Sequence, residues 1–216
     1  MLSDLRPVVL RGKQVYLEPL EERHAAELFA IGQDERIWRY FPRGPIASEE
    51  DAQRFIEQAM LSRAFGNELQ FAIRACATDA FIGATRYQDI QPRHESVEVG
   101  WTFVHPGHWF RGAGTESTLL LVQHAIEDLG AGRVWCKTDA RNLRTQRVLE
   151  KCGAHREGVL RRHLRSRDGF IRDSVIYSVL PEEWPALKQQ AEKILARLWA
   201  ASSRTSRYNL ERSNSK

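Results

Sequence analysis

Hydrophobic residues along the chain change their period repeatedly, and each change predicts an element. "KQVYLEPL" alternates around Val15 and Leu17, the pattern of a strand. "EERHAAELFAIG" then sets Ala25, Leu28 and Phe29 on one side of a short helix, and "IWRYFPRGP" is an aromatic loop broken by proline. In "SEEDAQRFIEQAMLSRAFG" the set Ala52, Phe55, Ile56 and Ala59 keeps helical spacing. Ser48 opens that helix with Asp51 three positions later, close to a capping box, and Gly66 ends it. "ELQFAIRAC" and "AFIGATRYQDI" alternate on either side of "ATDA" as a hairpin does, and "SVEVGWTFV" alternates again. On an unbroken alternation Glu98 shares a face with Ser96 and Gly100, opposite Val97, Val99 and Trp101.

The second half continues with "WFRGAGTES" and a helix whose apolar positions are Leu119, Val122, Ile126 and Leu129. "RVWCKTDA" reads as a strand, and "NLRTQRVLEKCG" as a short helix capped by Asn142 and closed by Gly153. "EGVLRRHLRSRDGFIRDSVIYSVL" holds two strands around an Asp168-Gly169 turn, and an amphipathic helix begins near Pro181. The order predicts a single α/β domain over residues 1–199, with a mixed central sheet flanked by helices and a mostly antiparallel first half. No repeat or linker divides it.

Composition narrows the class. Of 216 residues 42% are hydrophobic and 28% charged, as in soluble globular proteins. No apolar run approaches the roughly 20 residues that span a bilayer. The start "MLSDLRPVVLRGK" lacks a signal-peptide pattern, so a cytoplasmic protein with no membrane role is expected. Cys76, Cys136 and Cys152 are odd in number and lack metal-ligand spacing, which fits reduced thiols and no metal. The net charge of +4 is misleading. Arg204, Arg207, Arg212 and Lys216 against Glu211 place most of it in a polar tail, residues 200–216, expected to be disordered. The body is near neutral, which argues against a nucleic-acid partner. The pattern does not decide between a monomer and a homodimer.

Chemistry concentrates in "WFRGAGTES". A helix start exposes four N–H groups without intrahelical partners, beside roughly half a positive charge from the helix dipole. Gly112 and Gly114 remove Cβ atoms there, so an anion can approach the backbone, and Arg111 adds charge. A ligand-free glycine turn is the alternative. The dinucleotide fingerprint needs a third glycine, and a Walker loop needs Gly-Lys-Ser/Thr; neither pattern is present.

Together with "TDARNLRTQRVLEKCGA" one strand later, this stretch resembles the GNAT acetyltransferase superfamily. The blocks "LRGKQVYLEPLEERHAAEL", "VEVGWTFVHPGHWFRGAGTES", "DARNLRTQRVLEKCGAHREGVLRRH" and "RDGFIRDSVIYSVLPEEWP" are similar to its RimJ/RimL-like branch over roughly residues 10–190. The resemblance implies an N-acetyltransferase that uses acetyl-CoA and attacks directly within a ternary complex. The acceptor would be an amine, on a protein N-terminus or a small molecule. A polyamine or antibiotic acetyltransferase, or a CoA-binding module without transfer activity, are the rival readings.

By the same resemblance Trp109, Phe110, Arg111, Gly112, Ala113, Gly114 and Thr115 would form the pyrophosphate loop, with Asn142 beside the pantetheine arm. Phe103 and Val104 would offer backbone N–H groups on a splayed strand. Trp109 stands where the family has Gln or Arg, and Leu149 where many relatives carry an acidic tyrosine. Glu98 is the expected base, with Glu95, His94 or a base acting through water as other candidates and a solvated strand-face glutamate as the alternative. Thr145 is the candidate acid, or a hydroxyl bonded back to its own helix. Trp38, Tyr40 and Phe41 would wall the acceptor side, and Arg161, Arg162, Arg165 and Arg167 form either a solvated hairpin or a contact for an acidic acceptor.

Overall fold

The computed structural model describes the backbone of residues 1–213 and the side chains of residues 1–200. The chain opens with β1 (Leu10–Arg11) and β2 (Val15–Pro19), followed by α1 (Ala25–Gly32), α2 (Glu35–Trp38) and α3 (Glu49–Ala64). Strands β3 (Leu69–Ala75), β4 (Phe81–Gln91) and β5 (Ser96–Val104) precede α4 (Ala113–Gln123). Then come β6 (Arg133–Asp139), α5 (Leu143–Cys152), β7 (His155–Arg165), β8 (Ile171–Val179) and α6 (Trp184–Ser213). Of the tail expected to be disordered, residues 200–213 continue the backbone of α6, and residues 214–216 lie outside the described residues.

Local chemistry explains most boundaries. Ser48 Oγ accepts from the Asp51 N–H at 3.1 Å, capping α3 as its sequence predicts. Asn142 Oδ1 accepts from the Thr145 N–H and starts α5, which Gly153 closes at φ 101°. Two elements depart from the expected pattern. Short β1 pairs with β2 although its two residues carry no periodicity. The aromatic loop begins as helix α2, because the Asp34 carboxylate accepts from the Arg36 N–H and caps it. The helix after the glycines continues past α4 as a π turn over His124–Asp128.

The eight strands form one sheet in the order β1-β2-β3-β4-β5-β6-β8-β7. Every neighbouring pair is antiparallel except β5 and β6. On one face Leu17, Phe71, Tyr87, Val97 and Val99 bury with Leu121 of α4 and Leu187 of α6. On the other face Ala72 and Phe103 bury with Leu28 of α1, Ile56 of α3 and Trp38. Full burial of each such large side chain contributes roughly 1.5–3 kcal/mol, so both helix layers are held by ordinary core packing.

Two irregularities in β5 position the site. The parallel pairing with β6 covers only Ser96–Arg133, Val97–Val134 and Glu98–Trp135; beyond it the two strands part. The β4 register slips between Ala84 and Arg86, and Trp101 takes a left-handed φ of 51°. That bulge breaks the alternation expected from "SVEVGWTFV". Val97, Val99 and Val104 bury on one face and Phe103 on the other, so odd and even positions exchange faces across the bulge. Trp101 therefore leaves the face of Val99, contrary to the sequence expectation.

Candidate functional site

Where β5 and β6 part, a cavity of about 320 Å³ opens between β5, β6, the start of α4 and α5. Val99, Thr102 and Val104 line it from β5, and Trp135 and Cys136 from β6. His105 N–H donates to Ile82 O at 2.7 Å, which fixes the ladder parity of this end. Phe103 consequently points its backbone at β4, and Val104 points its backbone at the cleft. Of the two proposed N–H donors, only Val104 faces the cavity. Phe103 serves the core instead, its ring 5.1 Å from that of Trp38.

The glycine loop forms the mouth. Gly112 is the N-cap of α4 at φ 88° and has no side chain to cap with. The first intrahelical bond runs from Glu116 N–H to Gly112 O, at 2.8 Å. The N–H groups of Ala113, Gly114 and Thr115 therefore lie at an uncapped helix start, and all three residues line the cavity. Glu116, which would neutralise that end, turns away; its buried carboxylate accepts from the N–H groups of Lys13, Gln14 and Val15.

The two glycines differ in purpose. A Cβ on Gly112 would meet Leu195 Cδ2 of α6 at 2.7 Å, so this position is bare to admit α6 and a left-handed turn. A Cβ on Gly114 would meet only Val104 Cγ2, at an ordinary 3.6 Å. Packing therefore does not require a bare position at Gly114, which lines the cavity.

Trp109, at the position where the resemblance implies Gln or Arg, ties the loop to the splayed strand, its indole N–H donating to Val104 O at 2.7 Å. Charge returns from α5. The Arg144 guanidinium lies 4.6 Å above the Trp109 ring and 5.0 Å above the Phe110 ring, on the cavity wall. Nothing in the spacing of "NLRTQRV" marks Arg144, because its stacking partners lie more than thirty residues away. Arg111 is exposed and does not line the cavity.

Thr145 lines the same cavity. Ser117 and Thr118 of α4 bond back to the carbonyls of Ala113 and Gly114, at 2.8 and 3.0 Å, whereas Thr145 Oγ1 makes no such bond among the described residues. Leu149 contributes an apolar wall. The phenol lining the cavity, Tyr177, donates to Glu150 Oε1 at 2.8 Å, and burial with that carboxylate pushes it up to about 12. Burial likewise pushes the Cys136 thiol up to about 12 and Cys152 up to about 11. Both stay protonated and are poor nucleophiles.

Glu98 lies on the opposite face of β5 and is only 2% exposed, which removes the solvated-glutamate alternative. Its carboxylate pairs with Lys137 Nζ of β6, a partner that strand alternation alone does not reveal. It also flanks Gly100 with Gln88; a Cβ on Gly100 would stand 3.1 Å from Glu98 Oε1. Of the three acceptor-side aromatics, Trp38 is core, its indole N–H donating to Gly32 O at 2.7 Å. Phe41 backs Trp101, ring to ring at 5.4 Å, and the Tyr40 carbonyl accepts from Arg172 at 2.6 Å. None of the three lines the cavity.

Residues 14–155 match the family model described as an acetyltransferase (GNAT) domain. The chain is 28% identical over 181 residues to the Bacillus subtilis protein named "Probable N-acetyltransferase YjcK", covering 80% of this chain and 97% of that one. A GCN5-related N-acetyltransferase from Brucella melitensis superposes with a TM-score of 0.80 at 29% identity, over 88% of this chain and 86% of that one. RimL, a ribosomal L7/L12 alpha-N-protein acetyltransferase, shares the fold with a TM-score of 0.72 at 15% identity, over 82% of this chain and 96% of that one. The parted strands and the bare helix start beside them lie within the matched span, and the chain belongs to the GNAT acetyltransferase family.

Proposed function

We propose that the protein moves the acetyl group of acetyl-CoA to a primary amine by direct attack in a ternary complex. The observation that carries this reading is the cleft between β5 and β6, closed at one end by uncapped N–H groups of α4. Those of Ala113, Gly114 and Thr115 suit a pyrophosphate, with Arg111 and Arg144 adding charge. Acetyl-CoA supplies an activated thioester carbonyl. The chain's own groups do the rest. The Val104 N–H donates to the carbonyl oxygen as it gains charge. Glu98 receives, directly or through water, the proton the amine loses as the C–N bond forms. Thr145 Oγ1 donates to the departing sulfur as the C–S bond breaks. Burial disfavours the thiolates of Cys136 and Cys152, which supports direct attack over an acyl-cysteine route. The Trp109 substitution and the likeness to RimL in fold support a place in the RimJ/RimL-like branch, and the acceptor is a protein N-terminus or a small molecule.

Titration calorimetry with acetyl-CoA, followed by free-thiol release across a panel of amines, tests the reading. Binding with amine-dependent thiol release is expected. No binding overturns the cofactor assignment, and binding without turnover on any amine makes the chain a CoA-binding module.

A further inference from the structure

On the α3 side of the sheet lies a second cavity, of about 650 Å³. The bulge in β5 is the partition between the two: Trp101 lines this one, and its neighbour Thr102 lines the first. Glu98 stands on the same side. Its neighbour Gln88 accepts from Arg86 Nε at 2.7 Å, and Arg86 lines the second cavity.

The wall of this cavity is unevenly charged. It holds Arg43, Arg54, Arg86 and Arg167 against the acids Asp51 and Glu68. Both acids are already engaged, Asp51 with Arg43 at 3.0 Å and Glu68 with Arg86 at 2.9 Å. Arg54 pairs with exposed Glu50 outside the wall, and Arg167 pairs with no carboxylate among the described residues. Arg86 is 12% exposed and lies over the Trp101 ring at 4.3 Å, and burial pushes its guanidinium down to about 10. A buried cation in that state gains from any further anion.

We infer that the second cavity receives the acceptor, and that the acceptor is a primary amine carrying a carboxylate. The inference rests on the acetyl-transfer reading. The amine lies toward the bulge and Glu98, and the carboxylate toward Arg86 and Arg167, where the Arg167 fork, without a carboxylate partner among the described residues, matches its two oxygens. The wall carries four cations against two acids, both already engaged, and this excess of positive charge disfavours a polyamine.

The test measures thiol release at saturating acetyl-CoA with the full-length protein. One arm uses free amino acids, aspartate and glutamate; a second uses short peptide amides with an acidic residue after the N-terminus. Lysine-rich peptide amides and spermidine are the controls. Expected is a kcat/KM at least tenfold higher for the carboxylate-bearing amines of one arm, which also tells whether the acceptor is a metabolite or a chain terminus. Exposed Arg167→Glu should raise KM for those acceptors about tenfold, improve spermidine, and leave acetyl-CoA affinity unchanged. Equal or better turnover of spermidine by the unaltered protein, or no change in KM on Arg167→Glu, overturns the acceptor assignment alone. Thiol release with no amine at all overturns the transfer reading and the inference with it.

Discussion

A Cβ at Gly114 fits the structure, so Gly114→Glu is expected to fold normally while setting a carboxylate where the pyrophosphate would lie. Acetyl-CoA affinity should fall at least tenfold with the melting temperature kept; unchanged affinity in calorimetry would remove the loop from the cofactor site. Gly112→Ala should behave in the opposite way. It forces a side chain into a left-handed turn against Leu195, a conformation that costs about 1–3 kcal/mol, and urea unfolding measures the loss. Thr145→Ala leaves the Asn142 cap intact, since that cap takes the backbone N–H. Turnover should drop while acetyl-CoA affinity holds; equal turnover would make the hydroxyl structural. The two glycines look alike in the sequence because the difference lies in α6, more than eighty residues away.

Among elements, β5 does much to shape the candidate site. Three parallel pairs hold it to β6, a bulge turns Trp101 and Thr102 into separate cavities, and its last residue is tied to Trp109. The strand itself was legible from alternation. Its bulge was not, because Trp101 is no glycine and nothing local marks a left-handed φ there. Helix α5 shows the same division. Asn142 and Gly153 announce its ends, but the placing of Arg144 over Trp109 and Phe110 depends on how α5 docks beside the α4 loop. Arg144→Ala should therefore weaken acetyl-CoA binding about tenfold and flatten its dependence on salt, as loss of a charge-assisted phosphate contact does. An unchanged salt dependence would leave Arg144 as packing only.

Across the whole molecule, the sheet is completed by β6 and β7 lying either side of β8, and Arg133 of β6 reaches Glu157 of β7. Hydrogen bonds from Arg133 hold that carboxyl down to about 2, against an ordinary 4.5. A carboxyl depressed on folding adds stability above its unfolded value, and the gain is lost as pH falls toward the folded one. Urea midpoints should thus decline between about pH 5 and about pH 2.5, less steeply in Glu157→Gln; identical slopes would assign the acid loss to other carboxylates. Periodicity, caps and turn residues are local, and from them the sequence alone determined most elements and their order and the bare helix start, but not the two-residue β1 or the short α2. Tertiary structure alone decided which side chains share a cavity. Arg43, Arg54, Arg86 and Arg167 come from a loop, α3, β4 and the β7–β8 turn, and they converge only when the sheet forms. A side chain's face depends on strand register, and a single bulge reverses it, so the site's two sides became visible only with the pairings of β5 in place.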